Sequence, residues 1–308
     1  MTPYYSRVTA IAGAVVILSV AAWLLWQVLA ETSISDVLAS IRAQSAGAIL
    51  FAAGCTAISF AALASYDVMA VRIVAPGRTS AGLAALAGST ANACANTLGF
   101  AAVTATAVRL RLYSAVGLGI GDVARITALS SATLVLGFVT MLALALLVET
   151  WVGGSGAHAT AGVAISMALV WLAVWLWPGG RRLEVFAFEL MLPSGRMAVF
   201  QMLVGAAEMA AAISALYVLL PADLTPPFAV FAAAYVVAVA LGLGSQAPGG
   251  LGVFEATIIV VLGGAARADV VAALLLYRII YNLTPFALSA MALAIFELRR
   301  VSLKADSA

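Results

Sequence analysis

Residues 244–255 read GSQAPGGLGVFE and interrupt a chain that is otherwise strongly apolar. One apolar run stops at Leu243, and the next begins at Glu255. A proline, four glycines, a serine hydroxyl and a glutamine amide are poor material for a membrane helix. Backbone that leaves the helix at membrane depth loses its hydrogen bonds, and it is tolerated only where protein or water replaces them. Gly249, Gly250 and Gly252 allow backbone angles that other residues resist, and Pro248 fixes one while lacking a donor. The stretch therefore marks a deliberate break, with the Glu255 carboxylate at its edge.

Composition sets the context. The chain is 65% hydrophobic and 9% charged, far from the roughly 25% charged residues of ordinary soluble domains. Several apolar runs exceed the about 20 residues needed to cross a bilayer. Spans are expected at about 9–30, 45–66, 124–148, 159–178, 198–220 and 270–296, with irregular apolar regions at 81–104 and 227–264. Met1–Ala30 lacks a small-residue cleavage site and reads as a retained first span rather than a signal peptide. The segment 31–43 has the helical alternation of a short interfacial helix. With His158 as the only histidine, His-ligated zinc and Ser-His or Cys-His catalysis are disfavoured. Cys55 and Cys94 lie in apolar segments and suggest neither a disulfide framework nor a metal site. No cofactor, catalytic residue, metal or nucleic-acid partner is expected. GLGIGD at 117–122 follows no strand and precedes no GKS or GKT, so nucleotide binding is discounted.

Arginine distribution then predicts topology, because cytoplasmic loops carry the basic residues. Arg7, Arg72, Arg78, Arg181, Arg182, Arg196, Arg299, Arg300 and Lys304 flank one set of span ends, whereas the loops at 149–158 and 221–226 hold no Lys or Arg. If 67–80 is inside and 149–158 outside, the loop 105–123, with Arg109 and Arg111, is also inside. The region 81–104 must then enter from the cytoplasm and return to it. The region 227–264 must enter from outside and return, with SQAPGG near its tip. On this reading 12 basic residues are inside, two (Arg42 and Arg267) outside, and Arg278 lies within the last span. Both termini are expected in the cytoplasm. The fold class expected is an all-α integral membrane protein of one domain over 1–308, with about six full spans and two opposed re-entrant hairpins. This pattern fits inverted-repeat transporters, whose broken helices surround a midplane site. No sequence identity between the halves supports a repeat.

A helix starting near Gly252 would aim free N–H groups and a positive dipole end at the break, an arrangement that suits anions, phosphate included. A tight turn with Glu255 as an N-terminal charge fits the same residues. The motif SQAPGGLGVFEA, 245–256, resembles the most recognisable motif of the lysylphosphatidylglycerol synthase transmembrane-region family. Also similar to that family are NTLGFAAVTATAVRLRLYSAVGL at 96–118, ASYDVMAVR at 64–72 and LLYRIIYNLTP at 275–285. The resemblance spreads over most of the chain. It implies a bacterial cytoplasmic-membrane protein that moves phospholipids between leaflets, such as phosphatidylglycerol or its aminoacyl (lysyl) derivative, with an expected link to antimicrobial-peptide resistance. The aminoacyl-transferase domain of the larger family members has no counterpart in these residues, so synthase activity is not carried over. The chain is either a complete protein or the flippase half of a longer one, and the short polar tail VSLKADSA leans toward the first.

Charged groups at helix centres cost about 2.5–3.5 kcal/mol on insertion scales and need a reason. Arg278 lies eight residues into its span, with Tyr277, Tyr281 and Asn282 beside it or one turn away. It either pairs with Glu255 to hold the second hairpin or binds a lipid phosphate, and the two roles are compatible if the pair opens. Glu208, among small residues, is either hydrogen-bonded across helices or a site for a proton or a headgroup ammonium. Arg109 and Arg111, clustered with Arg125 beside Tyr113, are either ordinary loop charges or headgroup captors. Gly249 and Gly250 join Arg109, Arg111, Arg278 and Glu255 as candidate headgroup-binding residues. Asn92, Asn96, Ser245, Gln246, Tyr277, Tyr281, Asp67 and Glu208 are candidates for a polar path or for coupling. Asn92 and Asn96 alternatively satisfy backbone opened by the first hairpin, and Tyr66-Asp67 alternatively cap span two, with Asp67 pairing to a cluster arginine. The expected function is flipping of an anionic or aminoacylated phospholipid, without enzymatic activity. The rivals are a non-transporting partner of a lipid synthase and a membrane enzyme acting on headgroups. A lipid synthase or a second copy of the chain is the protein partner expected.

Overall fold

The computed structural model describes residues 33–153, 155–185, 188–263 and 267–305. The first expected span, 9–30, lies outside the described residues. In chain order the helices are α1 (Ile34–Ala43), α2 (Ala46–Val74), α3 (Ala81–Leu98), α4 (Ala101–Tyr113), α5 (Ile120–Glu149) and α6 (Gly156–Trp175). A two-stranded antiparallel ribbon follows, β1 (Arg182–Val185) and β2 (Phe188–Met191), then α7 (Gly195–Tyr217), α8 (Phe228–Gly244), α9 (Val253–Val261) and α10 (Ala268–Tyr277). A π-helical turn over Arg278–Leu283 joins α10 to α11 (Thr284–Ala305). The protein is an all-α membrane protein. Among the described residues α2, α5, α6, α7 and the α10–α11 helix are long and apolar enough to cross a bilayer.

Serines start four of these helices by accepting an otherwise unpaired N–H in the first turn. Ser45 caps α2, Ser80 caps α3, Ser155 caps α6 and Ser194 caps α7. Helix α7 is the central post, with 61% of its apolar window buried, against 11% for the peripheral α6. Its small residues explain this position. A Cβ on Gly205 would lie 2.5 Å from the Gly137 Cα of α5, an approach that only paired glycines allow. The main core cluster joins Met209, Ile213 and Leu216 of α7 to Phe231 and Tyr235 of α8, Ile258 of α9 and Leu274 of α10.

Contacts at the two ends of the bundle fix the hairpins. At one end Arg78, in the loop after α2, donates to Asp122 at 2.9 Å and to the Gly117 carbonyl at 2.9 Å. Arg111 of α4 pairs there with Glu297 of α11. Leu190 of β2 packs on the cluster of Val71, Leu112, Ile126 and their neighbours, which Phe296 also touches. At the other end the Gln44 amide donates to the Leu219 carbonyl at 2.8 Å, and Arg267 pairs with Asp223. The pair α3–α4 therefore leaves the first end and returns to it, and α8–α9 does the same at the second. Helices α3 and α8 have 18 and 17 residues, roughly 27 and 25 Å, each short of the about 30 Å hydrocarbon core.

Some expected boundaries change. The first hairpin turns at Gly99–Phe100, and its return limb continues to Tyr113 as helix α4. Arg109 and Arg111 consequently sit on a helix rather than in a loop. A buried arginine is tolerated there because Asp67 meets it. Asp67 itself is no cap: it lies seven residues before the end of α2 and is fully buried.

Candidate functional site: two hairpin tips around a polar cavity

The break read from the sequence is the tip of the second hairpin. After Gly244 the Ser245 hydroxyl donates back to the Gly242 carbonyl at 2.6 Å and accepts the Ala247 N–H at 3.2 Å. Gln246 takes a left-handed conformation at φ 57°, and Pro248–Gly250 form a single 3₁₀ turn. Position 249 favours glycine on two counts: its φ is 60°, and a Cβ would fall 3.2 Å from the Asn96 carbonyl oxygen. The tip of the first hairpin meets this turn. A Cβ on Gly99 would lie 2.9 Å from the Ala247 carbonyl oxygen, and Asn96 and Thr97 carbonyls approach Gly249.

Arg278 staples the second tip to the last helix. Its Nε donates to Glu255 Oε1 at 2.6 Å, and its Nη1 donates to the Gly249 carbonyl. Its guanidinium lies 5.4 Å from the centre of the Phe254 ring, a cation–π geometry. Nη2 lies 2.6 Å from Glu255 Oε1 but makes no hydrogen bond. The second Glu255 oxygen accepts the Gly252 N–H at 2.8 Å, so the carboxylate caps its own helix. The structural alternative for Arg278 is thus the arrangement present. The free N–H groups expected at the start of α9 are in part already met by Glu255.

Arg278 also begins the π turn, and such turns inside α-helices are frequent at functional sites. The extra residue stacks Tyr277 on Tyr281, with ring centres 5.0 Å apart and planes 13° apart. The Tyr277 hydroxyl meets that of Tyr235. The Tyr281 hydroxyl donates to Glu208 Oε1 at 3.0 Å, and Ser59 of α2 donates to the same oxygen at 2.8 Å. Asn282 closes the constellation: its side-chain amide donates to the Asn96 carbonyl at 3.2 Å, and its backbone carbonyl accepts from the Thr97 hydroxyl at 3.3 Å. The Asn96 carbonyl is among the last four of α3, which lack partners within their own helix.

A cavity of about 100 Å³ lies between the two tips, α5, α7 and the π turn. A single water needs about 10–15 Å³, so the space holds several waters or the polar part of a small headgroup. Its polar lining comes from Asn92, Asn96, Glu208, Gln246, Arg278 and Asn282, with Phe100, Phe138 and Phe254 among the apolar walls. Among the described residues, three buried polar atoms of lining side chains lack hydrogen-bond partners: Glu208 Oε2, Arg278 Nη2 and Asn282 Oδ1.

Of the candidates read from the sequence, the structure brings together Asn92, Asn96, Glu208, Gln246, Gly249, Gly250, Tyr277, Arg278 and Tyr281 on the cavity, with Glu255 behind Arg278. Ser245 is buried and spent on its own turn. Asn92 donates within its own helix, to the Gly88 carbonyl, so Asn282 rather than Asn92 serves the opened backbone. The expected arginine cluster is dispersed. Arg109 is buried and clamps Asp67 with Nε at 2.9 Å and Nη2 at 2.7 Å, while Tyr113 and Ser130 donate to the same carboxylate. Gly88 makes room, since a Cβ there would lie 2.9 Å from Asp67 Cβ. Arg111 goes to Glu297, and Arg125 lies 3.6 Å from Asp122. Asp67, Arg109 and Arg111 therefore stand away from the cavity, their charges answered by separate partners. Sequence reading missed Ser59 and Thr97, small hydroxyls on helices whose other polar residues drew attention, and Tyr235, the one polar side chain of α8.

The arrangement defines a multi-pass membrane protein with two opposed re-entrant hairpins meeting at a partly open, largely apolar cavity that carries a few polar and charged side chains. In sequence the chain is 28% identical over 212 residues to inner membrane protein YbhN of Escherichia coli, strain K12, covering 65% of each protein. The match thus spans just under two-thirds of that relative's length. It is 27% identical over 252 residues to the uncharacterized protein slr0712 of Synechocystis, covering 78% of this chain and 77% of that one. No family model matches the chain. Similarity to an inner membrane protein and the apolar helices together fit a multi-pass inner-membrane location.

Proposed function

We propose that the protein moves a phospholipid with an anionic headgroup, phosphatidylglycerol or its aminoacyl derivative, between the leaflets of the cytoplasmic membrane. The observation that carries this reading is the meeting of the two hairpin tips at Arg278, a mid-span cation on the cavity lining whose only counter-charge among the described residues is Glu255 of the second hairpin. A charge at that depth is expensive and characteristic of substrate paths. The resemblance of 245–256 and 275–285 to the lysylphosphatidylglycerol synthase transmembrane-region family points the same way. The arginine-rich end of the bundle is assigned to the cytoplasm on the charge rule, which places the C-terminus there.

In this account the headgroup leaves one leaflet along a hairpin, reaches the cavity, and departs along the opposite hairpin while its acyl chains stay in lipid. Arg278 exchanges the Gly249 carbonyl and Glu255 for phosphate oxygens, which its planar fork meets with paired hydrogen bonds. Glu255 tolerates that exchange because the Gly252 N–H and the positive end of α9 remain beside it. The protein acts here as a carrier and not as a catalyst of bond-making.

The test is leaflet exchange of fluorescent phosphatidylglycerol, and of its lysyl form, in liposomes containing the purified protein. Exchange faster than in protein-free liposomes supports translocation. Equal rates for every lipid with folded protein would reject it.

A further inference from the structure

We infer that Glu208 is a proton-binding site and that its protonation is linked to movement of the headgroup through the cavity. The second half of this statement rests on the lipid-translocation reading; the first half does not.

The geometry singles out this carboxylate. Glu208 sits at the middle of the central helix α7 with 1% exposure, yet its side chain lines the cavity. Oε1 is served by the hydroxyls of Ser59 and Tyr281, from two different helices. Among the described residues Oε2 has no donor. Around it stand Tyr66 on α2, Tyr235 on α8, and Tyr277, Arg278 and Tyr281 on the last helix, with Glu255 behind Arg278. Helix α5 presents Leu134 and Phe138 to the cavity, with no ionisable group. Of these the only cation is Arg278, whose hydrogen bonds go to Glu255 and the Gly249 carbonyl. Glu255 is therefore a neutralised carboxylate with both oxygens engaged, and Glu208 is one without a cation and with one bare oxygen.

A carboxylate with one bare oxygen, on a side chain that lines space for several waters, is a place where a proton can arrive and leave. A metal cation fits less well. Hard cations take six or more oxygen ligands, and here, among the described residues, only the Ser59 and Tyr281 hydroxyls, themselves 2.8 Å apart, stand beside Oε1. The ligand class is thus a proton. The link to transport is mechanical as well as electrostatic. Tyr281 holds Glu208 from inside the π turn that begins at Arg278, so a change at Glu208 Oε1 is felt three residues from the guanidinium.

Two readouts test this. Infrared difference spectra of the purified protein, recorded across the pH range in which it stays folded, should show the carbonyl stretch of a protonated carboxylic acid that titrates and is missing in Glu208→Gln. Leaflet distribution of fluorescent phosphatidylglycerol should respond to a one-unit pH gradient across the liposome membrane. One proton per lipid sustains at most about a tenfold ratio. The ratio should fall to one in Glu208→Gln, and Glu208→Asp should restore part of it. A carboxyl band that is absent, or unchanged in Glu208→Gln, would overturn the proton site. A gradient response retained by Glu208→Gln, or elicited by a sodium gradient instead, would overturn the coupling. If no lipid moves in any liposome, the translocation reading fails and the infrared titration alone decides whether Glu208 takes a proton.

Discussion

Gly99 of the first hairpin lies against Ala247 of the second, so close that a Cβ at position 99 would sit 2.9 Å from the Ala247 carbonyl oxygen. Two segments that enter from opposite ends of the bundle thus touch backbone to backbone, and the cavity opens beside that contact.

That contact makes residue 99 intolerant of any side chain. Gly99 has φ 78° and ψ −169°, a region that is essentially glycine-only. Gly99→Ala should cost about 1–3 kcal/mol for strain and a similar amount for overpacking. Gly117→Ala, also at positive φ but with nothing within 4 Å, should pay only the left-handed penalty of about 1–2 kcal/mol. Thermal unfolding in detergent should rank them in that order.

Removing one partner of a buried pair leaves the other uncompensated. Arg278→Ala or Glu255→Ala should each lower stability by up to about 3–5 kcal/mol, because the two side chains are only 14% and 10% exposed. Arg278→Met combined with Glu255→Leu should cost much less than the sum of the single changes. A double-mutant cycle on unfolding free energy checks this coupling.

The Asp67–Arg109 pair should be equally sensitive and the Arg111–Glu297 pair should not. Asp67 is wholly buried and accepts from Arg109, Tyr113 and Ser130. Asp67→Asn should therefore destabilise by about 3–5 kcal/mol. Arg109→Lys should fail to preserve stability, because the paired donors are lost. Arg111→Ala should cost under about 1 kcal/mol, its side chain being 58% exposed. Melting temperatures of the three variants decide.

In the loop after α7, a hydrogen bond from Arg267 holds the Asp223 carboxyl below its ordinary range. A lowered folded value stabilises above the unfolded value, and that contribution is lost as pH falls through the folded one. Stability should therefore decline on acidification, and Asp223→Asn should remove that part of the decline. Both side chains are exposed, so the effect should be small and weaken in salt. Melting temperatures on the acid side at low and high salt are the check.

The opposed hairpins were legible because two physical signals are local: arginines mark loop ends, and Pro-Gly stretches mark broken helices. The Arg278–Glu255 pairing was also legible, as one alternative, since a mid-span cation needs a counter-charge and Glu255 stands at the edge of the break. The clamp on Arg109 was harder. Asp67 and Arg109 lie 42 residues apart on separate helices, and sequence gives no rotational register between them. The π turn carries no pattern of its own, so the stacking of Tyr277 on Tyr281 and the role of Asn282 emerge only from coordinates. Ser59 is one hydroxyl among many small residues on α2, and only the position of α7 makes it a partner of Glu208.

The most direct test of the central claim, that a headgroup crosses beside Arg278, is exchange of labelled phosphatidylglycerol in liposomes carrying site variants. The comparison sets Arg278→Met with Glu255→Leu against Arg182→Ala with Glu189→Ala, an exposed pair on the β ribbon. With both proteins shown to be folded, the first should lose exchange and the second should match the wild type. Wild-type exchange by the Arg278, Glu255 variant would contradict the account.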